Sequence, residues 1–305
     1  MKLLSILSLF LIVLSVHVKA ADYNMFDHVG YSAESIGKGG IALFDSHAHA
    51  VFNNPSAADF KYISASSFYT SLVDNENKIY ALAGGVRLGK ARLLAGVIQS
   101  TIGGNYVTQR HPVTNVIEDV SSFEYANRLA QLGIGWEISQ RLSVGFTGNY
   151  YFTDLHTVNA TGYNGNIGAL FTPVKSLKMA AYAKNVLPLD LSYSNGQTEN
   201  LPLELYFGFE KKLYSQFELS AQFSMLGTGK DSKNLKAAAL KYFVPLTKHH
   251  FYVVGGYQEF VPLVERKRKL TLGVGLEIIA LNVYFSYSKS DYQDNNFFTS
   301  FTLNL

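Results

Sequence analysis

The chain ends in a run that alternates apolar and polar side chains up to its final carboxylate. Phe297, Thr299, Phe301, Leu303 and Leu305 fall on one face; Phe298, Ser300, Thr302 and Asn304 fall on the other. A period of two is that of a β-strand. Comparable alternation predicts strands near 62–73, 78–88, 91–101, 123–138, 141–153, 162–172, 177–188, 202–213, 216–226, 236–245, 249–257, 270–279, 281–290 and 296–305. The clearest is 270–279, where Leu270, Leu272, Val274, Leu276 and Ile278 oppose Thr271, Gly273, Gly275 and Glu277. Segments 236–245 and 249–257 are the least regular, and a twelve-strand count follows if both lie outside the sheet.

The connections carry a second pattern. Every other one is tight (Gly89-Lys90, Ser139-Gln140, 173–176, Tyr214-Ser215, 246–248 and Ala280), and most of those between are longer: 102–122, 154–161, 189–201, 227–235 and 258–269. Short turns at one end and longer loops at the other are the arrangement of an outer-membrane barrel, not of a β-sandwich. A bare aromatic strand at a chain end invites aggregation unless it is paired, and a barrel pairs its last strand with its first. The pattern predicts an all-β fold: a 14-stranded antiparallel transmembrane β-barrel over 61–305, with both ends of the ladder on the short-turn, periplasmic side.

The first 60 residues lack this alternation. Met1-Lys2, the apolar run Leu3 to Val16 and Val18-Lys19-Ala20 read as a secretory signal over 1–20. The run of ~14 residues is shorter than the ~20 that span a bilayer. Residues 21–60 are rich in small side chains and predict a plug, or hatch, containing a short helix and filling the lumen. Its marks are Gly39, Gly40, Asp45 as a helix N-cap, and Asn54-Pro55 as a stop or a new turn.

Composition sharpens this picture. Aromatic residues make up 14% of the chain and charged residues 16%, few for a water-soluble domain. The absence of cysteine excludes a lipoprotein anchor, disulfides and thiolate metal sites. The formal charge of +3 includes Lys2 and Lys19, so the remainder is close to neutral and shows no nucleic-acid footprint. The expected location is the outer membrane of a Gram-negative-type bacterium, among its lipid and lipopolysaccharide.

Three acids stand out. Glu137, Glu210 and Glu277 each fall on the polar face of a descending strand near its periplasmic end. Arg87 and Lys178 lie inward at the same level, and Lys38 lies in the plug. Isolated carboxylates in a lumen need water or partners. These six residues are therefore candidates for a latch between plug and wall, with an ordinary hydrated lining as the alternative. His47 and His49 read as plug histidines rather than metal ligands. In the run Glu265-Arg266-Lys267-Arg268-Lys269 the four cations sit at the outer rim and are candidates for lipopolysaccharide contact, with a solvated loop as the alternative. No catalytic set, P-loop or dinucleotide motif is present, so no enzyme activity and no cofactor is expected.

The Gly-Gly-x-Ala stretch, the Asp and Asn54-Pro55-Ser56 together resemble the start of the FadL-like outer-membrane proteins, and of their PorV/PorQ branch in particular. Ala183-Lys184-Asn185-Val186, Leu201-Pro202-Leu203-Glu204-Leu205-Tyr206-Phe207-Gly208-Phe209 and Phe285-Ser286-Tyr287 extend the resemblance. It departs at Ser56, where the family carries Ala, and at the terminal Leu305, where it carries Phe. The PorV/PorQ resemblance implies an accessory of type IX secretion that meets secretion components and exported cargo through its loops. The wider FadL-like resemblance implies instead passage of a hydrophobic ligand. That needs an apolar luminal pocket, which Tyr206 and Tyr284 allow, and a gap in the strand ladder. A structural barrel without transport is a third alternative.

Overall fold

The computed structural model describes residues 30–72, 77–110, 116–155, 157–227, 233–245, 250–261, 267–291 and 295–305. The strands are β1 (Ile63–Leu72), β2 (Asn77–Leu88), β3 (Ala91–Arg110), β4 (Ile117–Ser139), β5 (Leu142–Leu155), β6 (Val158–Val174), β7 (Leu177–Lys184), β8 (Asp190–Tyr193), β9 (Thr198–Asn200), β10 (Glu204–Lys212), β11 (Phe217–Leu226), β12 (Lys233–Val244), β13 (His250–Val261), β14 (Lys267–Ile278), β15 (Leu281–Ser290) and β16 (Asn296–Asn304). Fourteen of them form a closed antiparallel barrel. β16 pairs with β1 in the register Ser64↔Asn304 to Thr70↔Phe298, so the terminal strand has no free edge.

The irregular segments β12 and β13 belong to the ring, paired from Asn234↔Val261 to Val244↔Phe251. Two features depart from the expectation. The span 102–122 is partly strand, because β3 and β4 continue as a long hairpin past a register shift at Ile102/Asn105. The span 189–201 contains the β8–β9 hairpin, which leaves the ring and joins it through Ala160↔Tyr193 and Thr161↔Ser192.

Alternation along each strand sorts side chains between two surroundings. Outward positions are apolar, among them Leu132, Phe297, Leu270 and Leu272, all more than half exposed. Inward positions hold hydroxyls, amides, glycines and a set of apolar residues that pack on the plug.

Residues 30–60 fill the lumen. Helix α1 (Ala33–Gly37) begins at Ser32, whose hydroxyl accepts from the Ser35 amide. Two 3-10 turns follow, Ala48–Phe52 and Pro55–Ala57. Asn54 caps the second by accepting from the Ser56 amide. Asp45 caps no helix; its carboxylate accepts instead from the Ser32 hydroxyl at 3.3 Å, because α1 starts earlier in the chain than the small-residue pattern implied. Wall hydroxyls satisfy plug amides: Ala33 donates to Ser300, Gly39 to Thr271 and Ala48 to Ser64, each at 3.0–3.1 Å. Gly39 and Gly40 both take positive φ, +72° and +87°, which favours glycine.

A row of wall glycines seats the Asn54-Pro55-Ser56 turn. Gly135 on β4 faces Gly145 on β5, which faces Gly168 on β6. A Cβ on these glycines would strike the Pro55 carbonyl, the Ser56 amide and the Asn54 side chain respectively. Ile36, Leu43, Val51 and Phe52 of the plug then share one apolar core with Phe68, Ile98, Leu129 and Phe298 of the wall.

Candidate functional site

At the short-turn end, plug and wall meet through charge. Lys38 Nζ lies 3.2 Å from Glu34 Oε1 within the plug and 3.5 Å from Glu210 Oε2 on β10. Lys178 holds the other Glu210 oxygen at 2.9 Å. Lys241, from β12, reaches Glu34 at 2.7 Å and Glu218 at 3.8 Å. Burial opposes the charge on Glu34, but Lys241 and Lys38 outweigh it and hold the carboxyl well below its usual range. Burial likewise opposes the Lys38 charge, and Glu34 and Glu210 outweigh it, so its pKa is raised well above the ordinary value. The six latch candidates thus divide. Lys38, Glu210 and Lys178 form one cluster, with Glu34, Lys241 and Glu218 added.

Glu137 and Arg87 belong to a second cluster, 3.8 Å apart, whose centre is Arg92. The Arg92 guanidinium lies 3.3 Å from Glu137 and 3.1 Å from Asp59, at the end of the plug. Glu277 stands apart. It lines the same 590 Å³ basin as Lys38 and Glu210 but makes no ion pair among the described residues.

The plug histidines differ from each other. His47 touches Tyr284 at 3.2 Å, Asn282 at 3.4 Å and Asn304 at 3.0 Å. His49 is buried, its Nε2 lacks a hydrogen-bond partner among the described residues, and burial pushes its pKa down to about 3. Burial, and then the Glu34 charge, raise Asp45 to about 7. No group of three or more candidate metal ligands occurs among the described residues.

The wall is interrupted beside β6. The β6–β7 ladder stops at Ile167↔Ala183, well short of the start of β6. The chain turns away at Asn185, whose φ is +56°. Side-chain amides patch the break: Asn185 donates its backbone N–H to Asn166 Oδ1 at 3.1 Å, and Leu187 donates its own to Asn164 Oδ1 at 3.1 Å. Asn164 Nδ2 in turn donates to the Leu187 carbonyl at 3.1 Å. On the outer surface a groove of about 1090 Å³ ends here, between Tyr163 and Leu187. Its floor follows one cross-strand row, Ala65↔Gly84↔Ala95, with Gly148 farther along.

The rim cations are split by the two-residue period of β14. Arg268 is exposed and Lys269 is buried, facing inward; Arg266 lies outside the described residues, as does the predicted signal segment. Only alternate members of the run can therefore reach an outer surface, and Lys269 is not one of them. Lys267 is half-buried.

Glu34, Lys241, Glu218, Arg92 and the amides at 164–187 escaped the sequence argument. For Arg92 the signal was present: it is on the inward parity of β3, directly across from Arg87.

No protein-family model matches the chain, and no curated protein matches it. Solved structures do. The CymD monoaromatic hydrocarbon channel aligns with a TM-score of 0.68 at 12% identity, over 92% of this chain and 99% of that one. The toluene transporter TodX of Pseudomonas putida aligns at 0.65 and 12%, over 90% and 99%. A Pseudomonas aeruginosa FadL homologue aligns at 0.58 and 9%, over 90% and 98%. At such identities the likeness is one of fold.

Proposed function

We propose that this protein is an outer-membrane channel for small hydrophobic molecules, in a bacterium of the Gram-negative type. The observation that carries this is the apolar inward face of the barrel wall towards its loop end. Phe68, Leu72, Ile79, Ile98 and Phe298 point inward there, where a water-filled pore would present polar and charged side chains. The break beside β6 and the apolar groove next to it supply the ladder gap that such passage needs. The structural likeness to hydrocarbon channels supports the same reading and favours transport over catalysis. No feature of the fold, and none of the comparisons, favours the secretion-accessory role.

The test is uptake of labelled toluene by cells whose lipopolysaccharide barrier is intact, with and without the protein. The expected result is a faster initial rate with the protein and no change in the entry of a trisaccharide. Equal gains for both solutes, or no gain for toluene, would sink the proposal.

A further inference from the structure

Lys269 is only 2% exposed. It projects into the barrel near the loop end of β14, and no described residue makes an ion pair or hydrogen bond with its ammonium. The lysines at the opposite end behave otherwise: Lys38, Lys178 and Lys241 all rest on carboxylates. A buried, unpaired cation is costly, and an anion is its natural complement.

The ammonium lines an internal cavity of about 60 Å³ that rests on the plug. The cavity is about a tenth of the basin at the short-turn end, which suits one small ring rather than a long acyl chain. Aromatic side chains surround it. Tyr31 and Phe52 stack at 5.6 Å between centroids on the plug side, and Tyr182 and Tyr206 stand 5.7 Å apart on the wall. Rings of this kind hold another ring by offset and edge contacts. Lys184 lines the same cavity, but Glu204 lies directly across from it on β10 and offsets its charge, which leaves Lys269 as the cation for an incoming anion.

We propose that this cavity binds a single-ring aromatic carboxylate, its ring among Tyr31, Phe52, Tyr182 and Tyr206 and its carboxylate on Lys269. The inference rests on the channel reading and narrows its cargo from neutral hydrocarbons to small aromatic acids. A bound anion would sit directly above the plug, on the loop side, where an incoming solute is first arrested.

Titration calorimetry of the detergent-purified, full-length protein tests this, with benzoate, toluene and laurate as probes at pH 7. The expected outcome is saturable benzoate binding, weakened at least tenfold in Lys269→Met and largely retained in Lys269→Arg. Heat-modifiable electrophoretic mobility checks that both variants are folded barrels. Equal benzoate affinity in wild type and Lys269→Met overturns the inference, as does preference for laurate. Binding of toluene without benzoate overturns it while leaving the channel reading intact. Failure of benzoate to bind, together with no toluene uptake by cells, overturns both.

Discussion

Lys38 and Glu210 meet at 3.5 Å across 172 residues of sequence, one on the plug and one on the barrel wall, and both are buried. Glu34 also holds Lys38 at 3.2 Å, so removing Glu210 leaves the lysine paired within the plug but severs its contact with the wall. Glu210→Gln is therefore expected to loosen the plug. In planar bilayers the variant should show conductance bursts that the wild type lacks. Glu277→Gln, which breaks no ion pair among the described residues, should stay as quiet as wild type. Equal behaviour of the two variants would rule out the latch.

The glycine row makes a steric prediction. A methyl group at Gly168 would strike the Asn54 side chain, whose Oδ1 is held in place by the Ser56 amide and hydroxyl. Gly168→Ala should destabilise the seated plug by about 1–3 kcal/mol, in the range of overpacked cores. Adding Asn54→Ala should recover part of that loss, read as the midpoint of thermal unfolding. No recovery in the double variant would mean that the two residues are not in contact.

Asp45 gives the plug a pH dependence of definite sign. Its folded pKa, about 7, lies above the ordinary value of 3.8, so the folded plug favours the neutral acid. The unfolded chain releases this proton first, and stability falls as pH rises from about 4 to about 7. Asp45→Asn removes that loss. Its stability relative to wild type should climb with pH across this window and level off above pH 7. A difference that is flat with pH, or largest in acid, would contradict the assignment.

The amide patch beside β6 should control local opening of the wall. Asn164→Ala leaves the Leu187 N–H and carbonyl without their present partners at an exposed point of the wall. Hydrogen exchange at the Leu187 amide should speed up by at least tenfold, while exchange in the β12–β13 ladder stays unchanged. Uniform acceleration over the whole barrel would indicate global destabilisation instead.

Much of the barrel was legible because strands and turns are local. Alternation located β16 almost to the residue and β14 to within three residues, and the Gly89-Lys90 and Ala280 turns marked their hairpins without reference to the rest. The charge cluster between plug and wall was legible only in part. Lys178 and Glu210 follow from parity and Lys38 from its place in the plug, but Lys241 sits in Ala237-Ala238-Ala239-Leu240-Lys241, where three equal side chains erase the contrast that reveals a register. Glu34 depends on where α1 begins, which Ser32 decides and Asp45 does not. A run of like charges reads as one surface patch, whereas a strand sends neighbours to opposite faces and buries Lys269. The break at Asn185 has no local periodic signature, since it depends on asparagines of β6 some twenty residues away.

The closing seam carries one more consequence. Ser64 on β1 receives the Ala48 amide, and Ser300 on β16 receives the Ala33 amide, so the plug is bonded to both of the strands whose pairing closes the barrel. An object gripped by both margins of a closing sleeve acts as the mandrel on which the sleeve is wound. It also fixes the circumference: a barrel that lost or gained a strand would bring a different pair of hydroxyls to those amides.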